Sequence, residues 1–593
     1  MPYDTLVRGG KVVLAGHGVH EVDLAIEGEQ IAAILTPGTA VATRTIIEAR
    51  GLHVLPGALD SHTHWGYRGD FGVQCASDSR AAPIGGVTTA LLLQRIEPGQ
   101  FPELKQVAVQ RSTIDFVFSP AIFSEPTAAS IEEAIERWGC PSFKFYLAYR
   151  RLPGAPPGDD WNELTEGLML EALERMARYD GTLACVHAEN AEINNRGIAR
   201  VRASGRDGLA AWEEANPPIA EVEAIQRAGL YAERTGMPVH FVHLSGRDAV
   251  TALDGVKAHW PKSYGETCPH YLFHNVETSP AAVKFSPPVR HRQDNEALWD
   301  ALASGRLDCV GSDNAPTLWA AKQGTVWDIV RGGPGAGVLL PLILSEGVNK
   351  GRLSLERAVE VTSTNAAHIF GLHPRKGTIQ VDADADLALV DLGLEKTVSQ
   401  ELFGTWSDYT LYTGIRLKGW PVITMVRGRV VAENLETLEV GFPHLPYVSR
   451  PVPRSGLEGK FSVQYAMAVA LLDGRVVIDS FSDRRRFSAD VEALLPKIHV
   501  VFDDATPVDF AETYVIARAV LRGGATVAVR VDHPRGMWVR PLTPAERTEK
   551  FFDCAERVLG RARSEGLRDL VDQLDTLPDV AELADAAMRP PGP

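Results

Sequence analysis

Short apolar runs alternate with amphipathic stretches through the middle of the chain, from about residue 56 to residue 370. Segments such as "SIEEAIERWG" and "EVEAIQRAGLYAERTG" have the spacing of apolar positions that is typical of helices. Between them lie eight runs that resemble buried strands: "LHVLPGALD", "GVTTALLL", "DFVFSPAI", "SFKFYLAY", "TLACVHAE", "PVHFVHLS", "SYGETCPH" and "LDCVGSD". Eight strands alternating with helices predict an α/β fold, a (β/α)8 TIM-like barrel with its functional groups at the carboxyl ends of the strands.

The segments on either side of this region alternate apolar and polar residues between glycine-containing turns. They cover residues 1–55, with "TLVRGGKVV", and residues 371–440, with "KGTIQVDADADLALVDL". Such a pattern predicts short strands. We therefore expect the two flanks of the barrel, which spans residues 56–370, to pair into one small β-sandwich domain.

The pattern changes again beyond a proline-rich stretch, residues 441–456, which predicts a linker. The remainder, residues 457–593, predicts a C-terminal α+β domain. Within it, "LTPAERTEKFFDCAERVL" predicts a helix that begins with a capping box. Thr543 is the residue before the helix, Pro544 is its first residue and Glu546 its third.

Composition and charge restrict the class of protein. The chain has 593 residues, of which 45% are hydrophobic and 23% charged, as in a globular protein of several domains. The formal net charge of -16 argues against nucleic acid and anionic membranes as partners, because both attract basic surfaces. No apolar run of about 18 residues and no signal-peptide pattern occurs, so we expect no membrane partner and a cytoplasmic location.

Candidate chemistry lies at the ends of the predicted barrel strands. His62 and His64 are two residues apart, so on a strand both imidazoles point the same way; taken alone, such a pair is equally typical of loop histidines. Further polar residues end or lie within later strands, and the full set is His62, His64, Lys144, His187, His243 and Asp313. Imidazole and carboxylate ligands suit Zn²⁺ and similar divalent ions.

Lys144 does not fit a simple metal site, because an ammonium group cannot bind a cation and is costly to bury. One alternative is a surface lysine whose stem lies along apolar neighbours. The other is a carbamate formed from the neutral amine and CO2, which can bridge two metals about 3.5–4 Å apart. Because the other ligand types occur in order along the strands, we expect two divalent ions, with Zn²⁺ as the expected metal, and a carboxylated Lys144.

The ordered motifs "DSHTH", "SFKFYLAYR", "VHAEN", "FSPPVR", "GSDNAP", "GGPG" and "RKGTIQVDADADL" resemble the hydantoinase/dihydropyrimidinase family of cyclic amidohydrolases, over about residues 3–445. The resemblance implies hydrolysis of a cyclic amide or imide by a metal-bridging hydroxide, in a homo-oligomer (dimer or tetramer). It implies His62, His64 and Asp313 on one metal, His187 and His243 on the other, and Lys144 between them. Asp313 would also transfer the proton, Tyr149 would stabilise the oxyanion, and Ser286 would hold the ring amide.

Three positions depart from the family pattern. Asn314 stands where the family has a histidine, so a hydrogen-bonding role survives but a proton relay does not. Arg331 replaces an asparagine before the Gly-x-Pro-Gly turn; it either pairs with a substrate carboxylate or is an exposed loop arginine. Gly66 stands where dihydroorotases have an arginine, which disfavours dihydroorotate. We expect a hydantoin, a dihydropyrimidine or another cyclic imide as the small-molecule substrate.

Two alternatives to this enzyme remain. One is a hydrolase of another lactam or cyclic imide in a catabolic pathway, and the other is a non-catalytic dihydropyrimidinase-like scaffold. Occupation of all the ligand positions favours an enzyme. Residues from about 457 resemble the small domain of the 2-methylcitrate dehydratase/cis-aconitate decarboxylase (MmgE/PrpD) family, on "GKFSVQYAMAVALLDGRV" and "VDHPRGMWVRPLTPAERTEKFFDCA". That piece is interpreted as a structural cap or an oligomerisation module.

Overall fold

The computed structural model describes residues 2–150, 162–433, 435–473, 475–504, 506–509, 512–521, 526–533 and 535–588. The chain divides into two compact units. Unit 1 comprises Met1–Thr43 and Ile47–Asn434, and unit 2 comprises Arg44–Ile46 and Leu435–Pro593. The proline-rich residues 441–456 therefore lie inside unit 2. The domain boundaries expected from the sequence differ from the bounds of these two units and stay predictions.

The N-terminal flank forms strands, as the alternating pattern predicts, but β1 and β2, with 12 and 10 residues, are longer than the short strands expected. Strand β1 pairs antiparallel with β2 and parallel with β5, and β2 pairs antiparallel with β3. Their bounds are β1 Tyr3–Leu14, β2 Gly18–Glu27, β3 Gln30–Leu35, β4 Thr43–Glu48 and β5 His53–Pro56.

The middle of the chain forms an eight-stranded parallel barrel in which strands follow one another in chain order. The strands are β6 Ala58–Thr63, β7 Val87–Gln94, β8 Asp115–Ile122, β9 Ser142–Tyr146, β10 Leu183–His187, β11 Val239–Phe241, β12 Ser263–Thr267 and β13 Cys309–Val310. Each of the eight predicted runs contributes one of them, so the TIM-like fold is confirmed.

One of these predictions was wrong in detail, because "LHVLPGALD" is not a single barrel strand. It divides at Gly57 into β5, which pairs with β1, and β6, which pairs with β7. A Cβ atom at Gly57 would lie 2.2 Å from the side chain of Thr88. The backbone therefore passes from one sheet to the other at a residue without a side chain, close to β7.

The barrel closes between its last and first strands. The carbonyl oxygen of Asn314, just beyond β13, accepts the backbone N–H of His64 at 2.8 Å. Thr63 and Asn314 form a parallel bridge at the same place. Closure therefore brings the segment after β13 beside the two histidines that end β6.

Helices separate the strands, and their ends carry the expected signals. The predicted segment "EVEAIQRAGLYAERTG" covers most of α8, which has Pro218 in its first turn and is followed by Gly236 with φ 74°. The helices of unit 1 are α1 Phe71–Ala81, α2 Phe101–Arg111, α3 Glu125–Ala129, α4 Ile131–Glu136, α5 Glu166–Met176, α6 Ala191–Ala203, α7 Leu209–Ala215, α8 Pro218–Thr235, α9 Arg247–His259, α10 Pro269–Phe273, α11 Arg292–Ser304, α12 Leu339–Leu342, α13 Leu355–Val359, α14 Asn365–Ile369 and α15 Gln400–Phe403. Two π-helical stretches, Ile343–Val348 and Glu360–Thr364, continue α12 and α13.

The two flanks of the barrel meet in one sheet, as the sequence predicts. Strand β14 (Leu387–Thr397) pairs antiparallel with β5 and with β15 (Arg416–Val426), which in turn pairs with β16 (Arg429–Glu433). Because β5 also pairs with β1, strands from both ends of unit 1 share this sheet.

Unit 2 is a mixed α+β unit. Its strands are β17 Leu435–Phe442, β18 Ile498–Phe502, β19 Val515–Leu521 and β20 Thr526–Val531, with β17 parallel to β18 and antiparallel to β19. Its helices are α16 Gly456–Gly459, α17 Val463–Asp473, α18 Asp483–Arg486, α19 Ala489–Leu494, α20 Pro544–Leu559, α21 Arg561–Asp572 and α22 Ala581–Ala587. The capping box at Thr543 and Glu546 begins α20, as predicted. Among the described residues, no helix has the length and apolar character needed to cross a membrane.

Candidate active site

A cavity of about 490 Å³ in unit 1 is lined by all the site residues proposed from the sequence. These residues are His62, His64, Lys144, Tyr149, His187, His243, Ser286, Asp313 and Arg331. Lys144 lies in the middle of β9, and each of the others lies near the end of a barrel strand or beyond it. The strands are parallel, so their carboxyl ends share one face of the barrel.

The first group of candidate ligands surrounds one carboxylate oxygen. The Nε2 atoms of His62 and His64 each lie 3.3 Å from Oδ1 of Asp313. Lys144 Nζ lies 3.3 Å from His62 Nε2. The donor atoms of the two histidines and Asp313 all lie within 4.8 Å of one another, a spacing that suits a shared metal ion.

The second group is a histidine pair. His243 Nε2 lies 3.0 Å from His187 Nδ1, and their ring centroids are 4.4 Å apart. The ring of His243 also stacks on that of His62, with 5.2 Å between centroids, so this pair adjoins the first group. Two of the imidazoles come from β6 and β10 and two from the segments after β6 and β11. Together with the carboxylate of Asp313 and the amine of Lys144, they converge on one end of the barrel.

Contacts on the far side of three rings fix which nitrogen faces the cavity. His62 Nδ1 lies 2.9 Å from Glu266 Oε1, and His64 Nδ1 lies 2.6 Å from the carbonyl oxygen of Leu93. His187 Nε2 lies 2.7 Å from Glu189 Oε2. Partners of this kind orient metal-ligating histidines and raise their basicity.

Burial sets the charge of the candidate ligands. It lowers the pKa of His62 to about 4, with a further contribution from Lys144, and it lowers the pKa of His187 and His243. These imidazoles are therefore neutral near pH 7, the form that binds metals. Burial alone would raise the pKa of Asp313, but the neighbouring His62 and His64 outweigh it and lower that pKa, so the carboxylate is ionised.

Lys144 is fully buried, and burial lowers the pKa of its amine to about 8, although Asp313 acts in the opposite direction. A fraction of this amine is neutral near pH 7, and only the neutral amine reacts with CO2. The set of nitrogen and oxygen donors thus fits divalent cations of the Zn²⁺ type.

Backbone strain accompanies three of these positions. Tyr149, His243 and Asp313 have φ values of 59°, 47° and 48°. A residue other than glycine in this region costs on the order of 1 kcal/mol or more, and such residues cluster at functional sites. All three lie two or three residues beyond the end of a barrel strand, where the backbone turns their side chains into the cavity.

Contacts between residues distant in sequence orient the side chains of Arg331 and Tyr149 on the wall of the cavity. The guanidinium carbon of Arg331 lies 5.2 Å from the ring centroid of Tyr149 and 5.2 Å from that of Trp212. Arg331 is half-buried and lines the cavity, so it is not the exposed loop arginine of the alternative interpretation. The ring of Tyr149 lies 5.1 Å from that of His187, which places it next to the candidate ligands.

Asn314 and Gly66 have structural contacts that explain the departures noted in the sequence. The Asn314 side-chain oxygen accepts the backbone N–H groups of Gly335 and Ala336 at 2.9 and 3.2 Å, and its amide donates to Asp78 at 2.9 Å. Asn314 therefore anchors the segment that follows Arg331. At Gly66, with φ 78°, a Cβ atom would lie 3.0 Å from Phe71, so an arginine there would be strained.

Sequence reasoning missed Glu266, which lies in a strand identified only by its apolar neighbours. This buried carboxylate lies 3.3 Å from His240 Nε2 and accepts the backbone N–H of His243 at 3.3 Å, in addition to its contact with His62. Burial would raise its pKa, but hydrogen bonds from His240 and His62 lower it, so Glu266 is ionised. An acidic residue inside a predicted barrel strand was the available signal.

The role of Glu266 can be tested by Glu266→Gln. Loss of the negative charge behind His62 weakens that ring as a ligand, so we expect metal affinity to fall by about 10- to 100-fold. Metal titration of the apoprotein, followed by calorimetry, measures this.

Glu221→Gln is the matched control, because Glu221 is also buried but contacts Ser245 and Arg290 instead of a candidate ligand. Equal metal affinities for Glu266→Gln and the unmodified protein would contradict the assignment.

Known proteins with similar sequences include hydantoinases and allantoinases. The L-hydantoinase of Paenarthrobacter aurescens is 33% identical over 459 residues, which cover 74% of this chain and 97% of that protein. The allantoinase of Deinococcus radiodurans is 33% identical over 451 residues, which cover 74% of this chain and 97% of that protein. The amidohydrolase family matches residues 154–431, and the MmgE/PrpD C-terminal domain matches residues 425–576, in agreement with both resemblances seen in the sequence.

Solved structures share the fold. The L-hydantoinase (dihydropyrimidinase) from Arthrobacter aurescens has a TM-score of 0.67 at 32% identity, covering 73% of this chain and 96% of that one. The dihydropyrimidinase from Brevibacillus agri has a TM-score of 0.64 at 28% identity, covering 72% of this chain and 95% of that one. Both comparisons extend over nearly the whole length of the similar protein.

Proposed function

The chain belongs to the amidohydrolase family, in the branch of the hydantoinases and allantoinases, and on this premise we propose that it hydrolyses a C–N bond of a cyclic amide or imide in a metal-dependent reaction. The observation that carries the proposal is the convergence of four histidines, Lys144 and Asp313 on one cavity. A non-catalytic scaffold has no need of this buried donor set, so the enzyme is favoured over that alternative.

Two divalent cations, with Zn²⁺ as the expected metal, would occupy the site. His62, His64 and Asp313 would hold one, and His187 and His243 the other. Lys144 would be carboxylated and lie between them, which its low pKa and complete burial support. When bound, the two metals would make hydroxide available near neutral pH and polarise the ring carbonyl.

The protein's own residues would position the substrate and transfer its proton. Asp313, ionised at neutral pH, would accept the proton of the nucleophile and return it to the leaving nitrogen. The hydroxyl group of Tyr149 would donate a hydrogen bond to the developing oxyanion. Ser286, on the same cavity wall, would bind the ring amide.

The cavity favours a ring that carries a substituent. Its volume of about 490 Å³ is in the range of sites for drug-sized ligands, which exceeds the needs of a bare five- or six-membered ring. Hydantoins, dihydropyrimidines and other cyclic imides are the first candidates, and another lactam is the second. A homo-oligomeric state, dimer or tetramer, stays a prediction that a mass measurement in solution tests.

Replacement of Lys144 tests the proposal directly. In Lys144→Ala, we expect loss of both metals and a fall of at least 1000-fold in ring opening, because metal ions together supply several kcal/mol or more of transition-state stabilisation. Metal analysis and ring-opening assays on the same sample measure both quantities, and propionate added as a stand-in for the carbamate should restore part of each.

Lys350→Ala serves as the control, since Lys350 is an exposed lysine paired with Glu346. A metal-free Lys144→Ala protein with full ring-opening activity would refute the proposal.

The low pKa of Lys144 predicts how the site assembles. The pKa of the Lys144 amine is about 8. At a pH below this value the amine is mostly protonated and unreactive, and at a pH above it the amine is mostly neutral. At fixed dissolved CO2, the rate of activation of apoprotein by metal should therefore rise about 20-fold from pH 6.5 to pH 8.5. Recovery of activity after mixing measures the rate, and a rate independent of both pH and CO2 would contradict the carbamate.

A further inference from the structure

Three arginines line one arc of the cavity. Arg68 follows β6, Arg95 follows β7 and Arg331 follows β13. Strands β6 and β7 are neighbours, and the barrel closes between β13 and β6, so these three segments are consecutive around the barrel. Arg68 and Arg95 are exposed, as is Glu97 beside them, whereas Arg331 is half-buried; Asp313 is the other acidic residue in the lining. In a chain with a net charge of -16, this concentration of guanidinium groups stands out.

Arg331 is held in place by the cavity wall. Its guanidinium group packs against both Tyr149 and Trp212, with 5.2 Å from its central carbon to each ring centroid. Such stacking orients the plane of the group, and the edge of a guanidinium group has the geometry that pairs with a planar anion. Because Tyr149 also adjoins His187, a substituent on a ring bound at the metal site lies within reach of Arg331.

Two buried lysines reinforce the positive charge behind Arg331. Lys284 Nζ donates to the carbonyl oxygen of Ile329 at 2.8 Å and lies 4.3 Å from the ring centroid of Trp212. Lys322 Nζ donates to the carbonyl oxygens of Val330, at 2.9 Å, and Gly332. Lys284 thus binds the backbone before Arg331, and Lys322 binds it on both sides of Arg331.

The cations in this region repel one another. Burial, followed by the charges of Lys284 and Arg68, lowers the pKa of Lys322 to about 7. A negative charge in the cavity would relieve this repulsion, and a cavity with low-dielectric walls concentrates the attraction for such a charge.

We infer that the ring substrate carries an anionic substituent, a carboxylate, which Arg331 binds through its guanidinium edge while Arg68 and Arg95 attract it at the mouth. This inference rests on the proposed hydrolysis of a cyclic amide and names the class of substrate for that same site. A bidentate pair between arginine and carboxylate gives both affinity and orientation.

A matched pair of substrates tests this inference. Racemic 5-(2-carboxyethyl)hydantoin and 5-(2-carbamoylethyl)hydantoin have nearly the same shape and differ in charge; dihydrouracil and succinimide pairs with the same substituents extend the series. With metal-loaded protein, we expect kcat/KM to be at least 10-fold higher for the carboxylate, chiefly through KM. Arg331→Met should lower kcat/KM for the carboxylate substrate by about 10- to 100-fold and change kcat/KM for the carboxamide substrate little.

Two variants separate binding from structure. Arg331→Lys keeps the charge without the fork of donors and should retain part of the preference. Arg137→Met removes an exposed arginine that contacts Glu133, away from the cavity, and should leave both substrates unaffected. If Arg331→Met slows both substrates equally, Arg331 has only a structural role and the inference is overturned.

The outcomes also distinguish the inference from the proposed function. Equal kcat/KM for carboxylate and carboxamide overturns the inference and leaves cyclic amide hydrolysis intact. If no ring of either form is opened, the proposed function fails, and calorimetric binding of the same pairs to metal-loaded protein decides the inference. Tighter binding of the carboxylate, lost in Arg331→Met, supports it; equal binding or none overturns it.

Discussion

The buried donor groups at one end of the barrel constrain everything else in this structure. His62, His187 and His243 are held neutral by burial, and their cavity-facing nitrogens lie within about 3–3.3 Å of another donor atom. Each neutral ring keeps one nitrogen lone pair, and burial disfavours a second proton on it, so these lone pairs can bind a cation. A metal-dependent hydrolase needs this arrangement, whereas a purely structural barrel gains nothing from it.

The topology of the barrel brings these groups together at one end of the cavity. Parallel strands end on one face, so ligands far apart in sequence meet there, and strained backbone at Tyr149, His243 and Asp313 aims them inward. Closure at Asn314 brings Asp313 to the histidines of β6. The same asparagine anchors the segment after Arg331, so the candidate metal ligands and the basic wall of the cavity share one support.

Much of this could be predicted from the sequence, because ligand residues and apolar runs are local signals. The strand-end positions of His62, His64 and Asp313 follow from such runs. The division at Gly57 was missed although Pro56-Gly57 is a local turn signal, whereas the close approach to Thr88 comes from another strand. Glu266 was not identified from the sequence because its partner His62 lies on another strand. The orientation of Arg331 could not be predicted because it depends on Trp212, which is remote in sequence.

The most direct test of the central claim is a crystal structure of the metal-loaded protein with anomalous diffraction recorded on both sides of the zinc absorption edge. Two anomalous peaks per chain are expected, one among His62, His64 and Asp313 and one at His187 and His243, with added density on the amine of Lys144 between them. A bare Lys144 amine and no metal at these side chains would contradict the claim.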